Sequence, residues 1–410
     1  METKQEVRRH FLRKTVRLFA ALLVAGAIIF VPTALSENLS APAWAEPIIR
    51  GLSRIAYMLR MPVMMVAASI APFEGAHVKS PNLYYAWTSL AAPIFWAAMS
   101  LPLIRIGRNV RRRHEKRRLA KGKPAMSRRT FLAGAATCVA GAGGLGGYGV
   151  LVEPQRVRLA RYTVAVRDLP ASMDGFRIVH ISDTHYGPFI SLPFIRAVID
   201  QANSLDGDLV ILTGDYVHRT PLAIGAGVDV LKFVRARLGV VATLGNHDHW
   251  EGADGVRAAF DEIKLLLIDN ARRFVTRDGI HDEPVIGESI CIGGVGDLWE
   301  DANDFTRALA DAPDGMPRIV LAHNPDSAEH VAPGTRIDLM CSGHTHGGQV
   351  WVPGFGTPVT PSAYGQKYAG GMCRGPHCPV LVSRGVGMAI MPVRFGVPPE
   401  IGEITLAKPA

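Results

Sequence analysis

Apolar residues fall along this chain in two patterns that change near residue 160. Before that point they form long unbroken stretches: residues 18–35 carry no charge over 18 positions, and residues 86–104 none over 19. Each is long enough to cross a hydrocarbon core of about 30 Å as a helix rising about 1.5 Å per residue, and neither keeps the polar face of a helix on a protein surface. Two transmembrane helices are expected there. Residues 61–72 are apolar for only 12 positions, and extending them upstream brings in Arg60 and Arg54, so an interfacial or re-entrant segment is expected instead.

After Arg161 the runs are short and β-branched and alternate with helical stretches. Strands are expected over 162–166, 176–181, 209–212, 240–244, 290–292, 319–322 and 339–341, and helices over 195–203, 225–237, 252–263 and 305–312. This alternation predicts an α/β domain of about 250 residues.

Charge changes the picture once it is divided by position. The chain carries a formal net charge of +9, yet 22 Lys/Arg and 6 Asp/Glu fall in residues 1–129, leaving 23 and 30 for the remainder. The basic excess belongs to the apolar third, and the acidic remainder argues against nucleic acid as a partner. Six basic residues precede residue 18 and 12 lie in 105–129. The positive-inside rule places both groups in the cytoplasm, which two crossings satisfy and three do not.

The basic stretch ends in Ser127-Arg128-Arg129-Thr130-Phe131-Leu132, and an uncharged run with seven glycines follows to Val152. It resembles a twin-arginine export signal; a third hydrophobic anchor is the alternative. Either version sends the remainder outward. The expected layout is a membrane region over 1–129, the hydrophobic segment 130–152, and a catalytic domain over 153–410 on the extracytoplasmic side of the cytoplasmic membrane. Of the five cysteines, only Cys373 and Cys378 lie close enough for a local disulfide; two free thiols are the alternative.

The informative chemistry follows the strands. Ser182-Asp183-Thr184-His185, Gly214-Asp215, Gly245-Asn246-His247-Asp248, His323-Asn324 and Gly343-His344-Thr345-His346 each sit just past an apolar run. Open α/β sheets bind ligands outside the carboxyl ends of their strands, so five turns can converge on one site. Taken singly, an Asp or His after a strand is more often a cap or a partly buried residue. Together they offer two carboxylates, one amide and four imidazoles, a donor mixture suited to Mn, Fe, Zn or Co.

The ordered set D-x-H, G-D, G-N-H-D, H, G-H-x-H resembles the calcineurin-like metallophosphoesterase family over roughly residues 174–406. The tail Pro392-Val393-Arg394 and Pro398-Pro399-Glu400-Ile401 is similar to its membrane-associated bacterial branch. The resemblance implies a two-sheet mixed β-sandwich flanked by helices, here preceded by the α-helical transmembrane region. It implies one metal on Asp183, His185 and His346, a second on Asn246, His323 and His344, and Asp215 bridging them. A water activated between two cations would attack phosphorus. His247 matches the family's residue that contacts phosphate and protonates the leaving oxygen.

Asp248 would orient His247, or else cap a helix starting near Gly252. His180, inside a strand, reads as packing, and His218 and His249 as loop residues near the mouth. His218 stands where the family often carries an acid. Arg384 and Arg394 either clamp a phosphate or pair with acids in the tail. The expected activity is hydrolysis of a phosphomonoester or phosphodiester, with a lipid-linked phosphate first to be tried. A nuclease and a non-catalytic metal-binding sensor are the alternatives.

Overall fold

The computed structural model describes Arg54, Tyr57, Gly141 and residues 144–389 and 391–409. The two expected spans, the short apolar segment and most of 130–152 lie outside these residues. Among the described residues no helix is long and apolar enough to cross a membrane. Residues Gly149–Ala410 form one compact unit.

Thirteen strands build two sheets in this unit. The first has the order β1 (Arg158–Ala165), β13 (Glu400–Ala407), β2 (Arg177–Ile181), β3 (Leu209–Thr213), β4 (Val240–Thr243) and β5 (Leu266–Leu267). The second has the order β11 (Gly371–Arg374), β12 (Pro379–Val382), β10 (Leu339–Ser342), β9 (Arg318–Leu321), β8 (Ile290–Gly294), β6 (Ala271–Val275) and β7 (Ile280–His281). Each sheet holds a parallel block, β2-β3-β4-β5 in one and β8-β9-β10-β12 in the other. Antiparallel neighbours flank both blocks.

Period-two alternation explains how the sheets pack. Ile178, Leu209, Ile211 and Val241 of the first sheet share one buried core with Ile292, Ile319, Leu321, Leu339 and Cys341 of the second. The intervening Val320 and Met340 turn outward into a separate cluster with Val380, Val382 and Tyr368. The expected two-sheet α/β architecture is what the chain adopts.

The helices depart from expectation at their ends. Helix α1 (Leu192–Asn203) begins three residues before the predicted start because Ser191 Oγ accepts from Phe194 N at 3.3 Å, and it buries Ile195, Val198, Ile199 and Ala202. Helix α2 (Ile224–Asp229) gives way to a 3-10 turn well before Arg237. The side chain of Asn203 takes the Phe233 carbonyl and the Arg235 amide, both at 2.8 Å, and so draws the chain off the helical path. Helix α3 (Asn246–Ile263) starts at the predicted ligand Asn246 rather than near Gly252, where its dihedrals break at φ 134°. Helix α4 (Phe305–Ala308) is capped by Asp304 and stops early; Arg318 Nη2 takes the Ala312 carbonyl at 2.8 Å. Cys373 and Cys378 are free thiols.

Strands β5, β6, β7, β11, β12 and β13 fall outside the runs expected from sequence. The most consequential is β13, which sits between β1 and β2, paired parallel with one and antiparallel with the other.

Candidate metal centre

The parallel blocks aim their carboxyl ends at one place. From the first sheet come Asp183 and His185 after β2, Asp215 after β3, and Asn246 and His247 after β4. From the second come His323 after β9 and His344 and His346 after β10. All seven predicted ligands are buried. Five of them hold left-handed backbone: Asp183 (φ 56°), His185 (46°), Asp215 (57°), His344 (67°) and His346 (51°). For side chains with a Cβ this conformation costs about 1–2 kcal/mol each and persists only where surrounding bonds enforce it.

Those bonds are present. Asp183 N donates to Gly214 O at 3.0 Å, His185 N to Asp215 O at 2.9 Å and Gly343 N to His323 O at 2.9 Å. His344 N donates to Asp183 Oδ1 at 3.0 Å. Gly343 allows this crossing of the sheets: a Cβ there would lie 1.9 Å from Ser182 Oγ and 2.3 Å from Asp183 Oδ2.

The donor atoms form two sets. In the first, His185 Nε2 lies 2.9 Å from His346 Nε2, and Asp183 Oδ1 lies 3.8 and 3.4 Å from these nitrogens. In the second, Asn246 Oδ1 lies 2.9 Å from His344 Nδ1 and 3.2 Å from His323 Nε2, with 3.3 Å between the two nitrogens. Asp215 Oδ2 reaches both, 3.4 Å from His185 Nε2 and 3.2 Å from His323 Nε2. Its second oxygen accepts from His247 N at 2.8 Å. The same oxygen of Asp215 therefore faces both donor sets, while the other is taken by the backbone of His247.

This spacing fits metal ions. Neighbouring donors around an ion at about 2.1 Å stand about 3 Å apart in octahedral and about 3.4 Å in tetrahedral geometry. Burial holds His185 and His346 well below the usual histidine range and His344 at about 3, so their nitrogens keep lone pairs. Burial would lower His323 too, but the charge and hydrogen bond of Asp215 raise it to about 10. The carboxylates thus demand positive charge at that position. His323 Nδ1 lies 2.6 Å from Thr213 O; donating its proton there leaves Nε2 facing the second set.

Asp248 takes the capping role rather than the orienting one, but at the helix's actual start: as the third residue of α3, it reaches back with its carboxylate to the backbone of the N-cap Gly245. Its Oδ2 accepts from Asp215 N at 2.8 Å and Gly245 N at 2.9 Å, and its Oδ1 from Tyr216 N at 2.8 Å. It pins the backbone on both sides of the shared ligand. The residue beside His247 is instead His218, buried with its Nδ1 3.2 Å from His247 Nδ1. Arg219 Nε donates to His218 Nε2 at 3.0 Å. The neutral His218 therefore keeps its proton on Nδ1 for His247 Nδ1, and His247 carries its own on Nε2. His185, His218 and His247 also bring three ring nitrogens within 4.8 Å of one another. His249 is a helix residue of α3, and His180 packs in β2 with Nε2 2.8 Å from Thr213 Oγ1.

Arg384 pairs with Glu400 of β13. Arg394 does neither thing expected of it. It is fully buried and donates to the carbonyls of Arg384, Gly385, Gly387 and Val397 at 2.6 to 3.1 Å, with Nη2 3.4 Å from His346 Nδ1. Burial lowers it to about 10, still charged at neutral pH. Arg394→Met would leave those carbonyls unpaired, and the unfolding free energy should fall by about 2–3 kcal/mol, read as a lower urea midpoint.

Two features escaped the sequence reading. Asp297, buried just past β8, obeys the same strand-end rule as the ligands and could have been found by it. Trp250 and Trp299 rim the centre, their rings 4.6 Å from His247 and 4.5 Å from His344; only the sequence neighbourhood of Trp250 to His247 hinted at this.

Known proteins resemble this chain in sequence. A family model described as calcineurin-like phosphoesterase matches residues 176–348. The uncharacterized metallophosphoesterase YkuE of Bacillus subtilis is 33% identical over 288 residues, 68% of this chain and 98% of its own. The phosphodiesterase YaeI of Escherichia coli is 32% identical over 68% of this chain and 99% of its own. The UDP-2,3-diacylglucosamine pyrophosphatase LpxG of Chlamydia trachomatis is 28% identical over 61% of this chain and 89% of its own.

Proposed function

This chain belongs to the calcineurin-like metallophosphoesterase family, and from that premise we propose that its centre hydrolyses a phosphate ester carried at a membrane. The observation that carries the reading is the pair of donor sets meeting at Asp215 Oδ2. Asp183, His185 and His346 would hold one divalent ion, Asn246, His323 and His344 the other, and Asp215 both. Such ions, when bound, supply Lewis acidity toward phosphoryl oxygens and an activated water.

The remaining steps belong to the chain's own groups. His247 stands outside both donor sets with a proton on Nε2, where the neutral ring can donate a hydrogen bond to a phosphoryl oxygen; in its imidazolium form the same proton can pass to the leaving oxygen and return the neutral ring. Asp248 fixes the backbone that carries Asp215. His218 acts through His247 by setting its tautomer. His218→Phe should lower kcat about 10- to 100-fold while the bound metal stays unchanged. Metal analysis beside kinetics checks it; a matching loss of metal would assign His218 to structure.

The membrane layout is part of the same proposal: crossings at 18–35 and 86–104, residues 130–152 as a signal or anchor, and the catalytic domain outside the cytoplasm. It is supported by the uncharged stretches and their basic flanks. A lipid-borne phosphate is favoured as substrate because a tethered site meets it in two dimensions, and because the chlamydial relative is a UDP-2,3-diacylglucosamine pyrophosphatase. The acidity of residues 130–410 disfavours the nuclease alternative.

The test is turnover of bis-para-nitrophenyl phosphate, para-nitrophenyl phosphate and a lipid-linked pyrophosphate by the full chain in detergent, with Mn supplied. The substrate ranking separates diesterase, monoesterase and lipid pyrophosphatase. A chain that binds metal and turns over none of them is the metal-binding sensor.

A further inference from the structure

Shortly after His346 the chain runs from Val350 to Gln366, 17 residues, without a charged side chain. Four large apolar side chains in it meet solvent: Trp351 and Tyr364 are each 45% exposed, Val359 62% and Phe355 78%. Scattered exposed hydrophobics are ordinary on a soluble surface, but a charge-free group of them beside a functional site is not.

The run is held in place. Val352 N donates to Gly356 O at 2.8 Å, closing a tight turn around Phe355. Thr357 Oγ1 donates to Gly347 O at 3.0 Å, tying the run to the loop of His346. Ser362 Oγ and Ala363 N donate to the two oxygens of Asp326 at 2.6 and 2.7 Å, tying its far end to the turn that follows His323. Pro353, Pro358 and Pro361 stiffen it further. Its apolar side chains are therefore presented with little entropy left to lose on contact.

Its place in the fold says what covers it. The compact unit begins at Gly149, whose carbonyl accepts from Arg394 N at 2.9 Å. The adjacent Phe395 N donates to Gln349 O at 2.8 Å, and Phe395 O accepts from Trp351 N at 2.7 Å. Residues 394–395 thus carry the start of the unit on one side and the base of the apolar run on the other. Leu151 and Val152, each 45% exposed, add apolar surface where the chain enters. The chain ahead of Gly149 contains the two uncharged stretches that suit a bilayer.

We propose that residues 350–364 form an interfacial loop that seats in the headgroup region of a phospholipid bilayer, holding the metal centre beside lipid-borne phosphate. Trp and Tyr are the side chains favoured at that depth, and the absence of charge removes the cost of burying one there. The inference deepens the reading of the centre as a membrane-bound phosphoesterase and rests on it.

The test places an environment-sensitive fluorophore on Phe355→Cys in the full chain, reconstituted in liposomes of phosphatidylcholine and phosphatidylglycerol. Val359→Cys serves as a second site. Ile286→Cys, 73% exposed between β7 and β8, is the reference. Signal from the unsubstituted chain is subtracted. The labels at 355 and 359 should shift to the blue and be quenched at least about twofold by headgroup-depth spin-labelled lipid, with no change at 286.

Equal, unquenched emission at all three positions overturns the proposal. So does a blue shift at 355 that vanishes when protein is diluted at constant lipid, which would mean that a second copy covers the loop. The readout needs no catalysis. Absence of quenching therefore leaves the phosphoesterase reading standing, and quenching without hydrolysis overturns that reading alone.

Discussion

Asp215→Asn should lower kcat for bis-para-nitrophenyl phosphate by about 1,000-fold while the protein still folds. The substitution keeps the shape of the side chain and an oxygen able to accept from His247 N, so the bond that orients the turn at 2.8 Å can survive. What it removes is the negative charge shared by both donor sets. Burial alone would raise the Asp215 carboxyl, yet His323, His247 and His185 hold it well below the usual range. It is thus the ligand that stays charged, whereas burial brings Asp183 up to about 7. Steady-state kinetics with metal analysis decide the matter: the variant should bind less metal and turn over far more slowly. Turnover equal to the parent would remove the two-metal reading.

Chelation carries the second large effect. Stripping the metal should abolish turnover, and Mn should restore it. Stability should follow activity, because ions that bind only the folded chain stabilise it by about 4 kcal/mol per site at a thousandfold excess over Kd. For a domain of this size that corresponds to roughly 8 °C in Tm per site. The cause is visible in the donor sets, where His185 Nε2 and His346 Nε2 stand 2.9 Å apart and His323 Nε2 and His344 Nδ1 3.3 Å apart. Scanning calorimetry with and without metal measures the shift; a Tm indifferent to metal would mean that the sets do not bind it.

The strand ends were readable because a buried parallel strand announces itself as a short apolar run, and five such runs each followed by Asp, Asn or His gather more ligating groups than caps alone explain. That logic located the seven ligand candidates and, applied once more, reaches Asp297. Three things were not readable. The left-handed backbone at Asp183 and His344 is held by contacts with other strands, Asp183 N on Gly214 O and His344 N on Asp183 Oδ1, with nothing local to signal it. The partners of Asp248 lie 32 and 33 residues away in sequence as well as beside it. Strand β13 contains Glu400, Gly402 and Glu403, which blur its alternation, and its register with β1 joins residues 242 apart. The role of Arg394 was hidden for a related reason, since a guanidinium that serves backbone carbonyls leaves no complementary acid to find.

The place of β13 also governs the order in which the molecule can assemble. Neighbouring parallel strands β2, β3 and β4 close loops of modest length, whereas β13 must find a slot between β1 and β2 across most of the domain, a search that slows folding. Docking it brings Glu400 N onto Gly385 O at 3.1 Å and Glu400 itself onto Arg384. Gly385 in turn packs against Asp183, where a Cβ would come within 2.7 Å of the Asp183 Cβ. Metal uptake during refolding should therefore lag behind early secondary structure and coincide with the slowest phase, so that a loaded centre reports a chain whose last strand is already home.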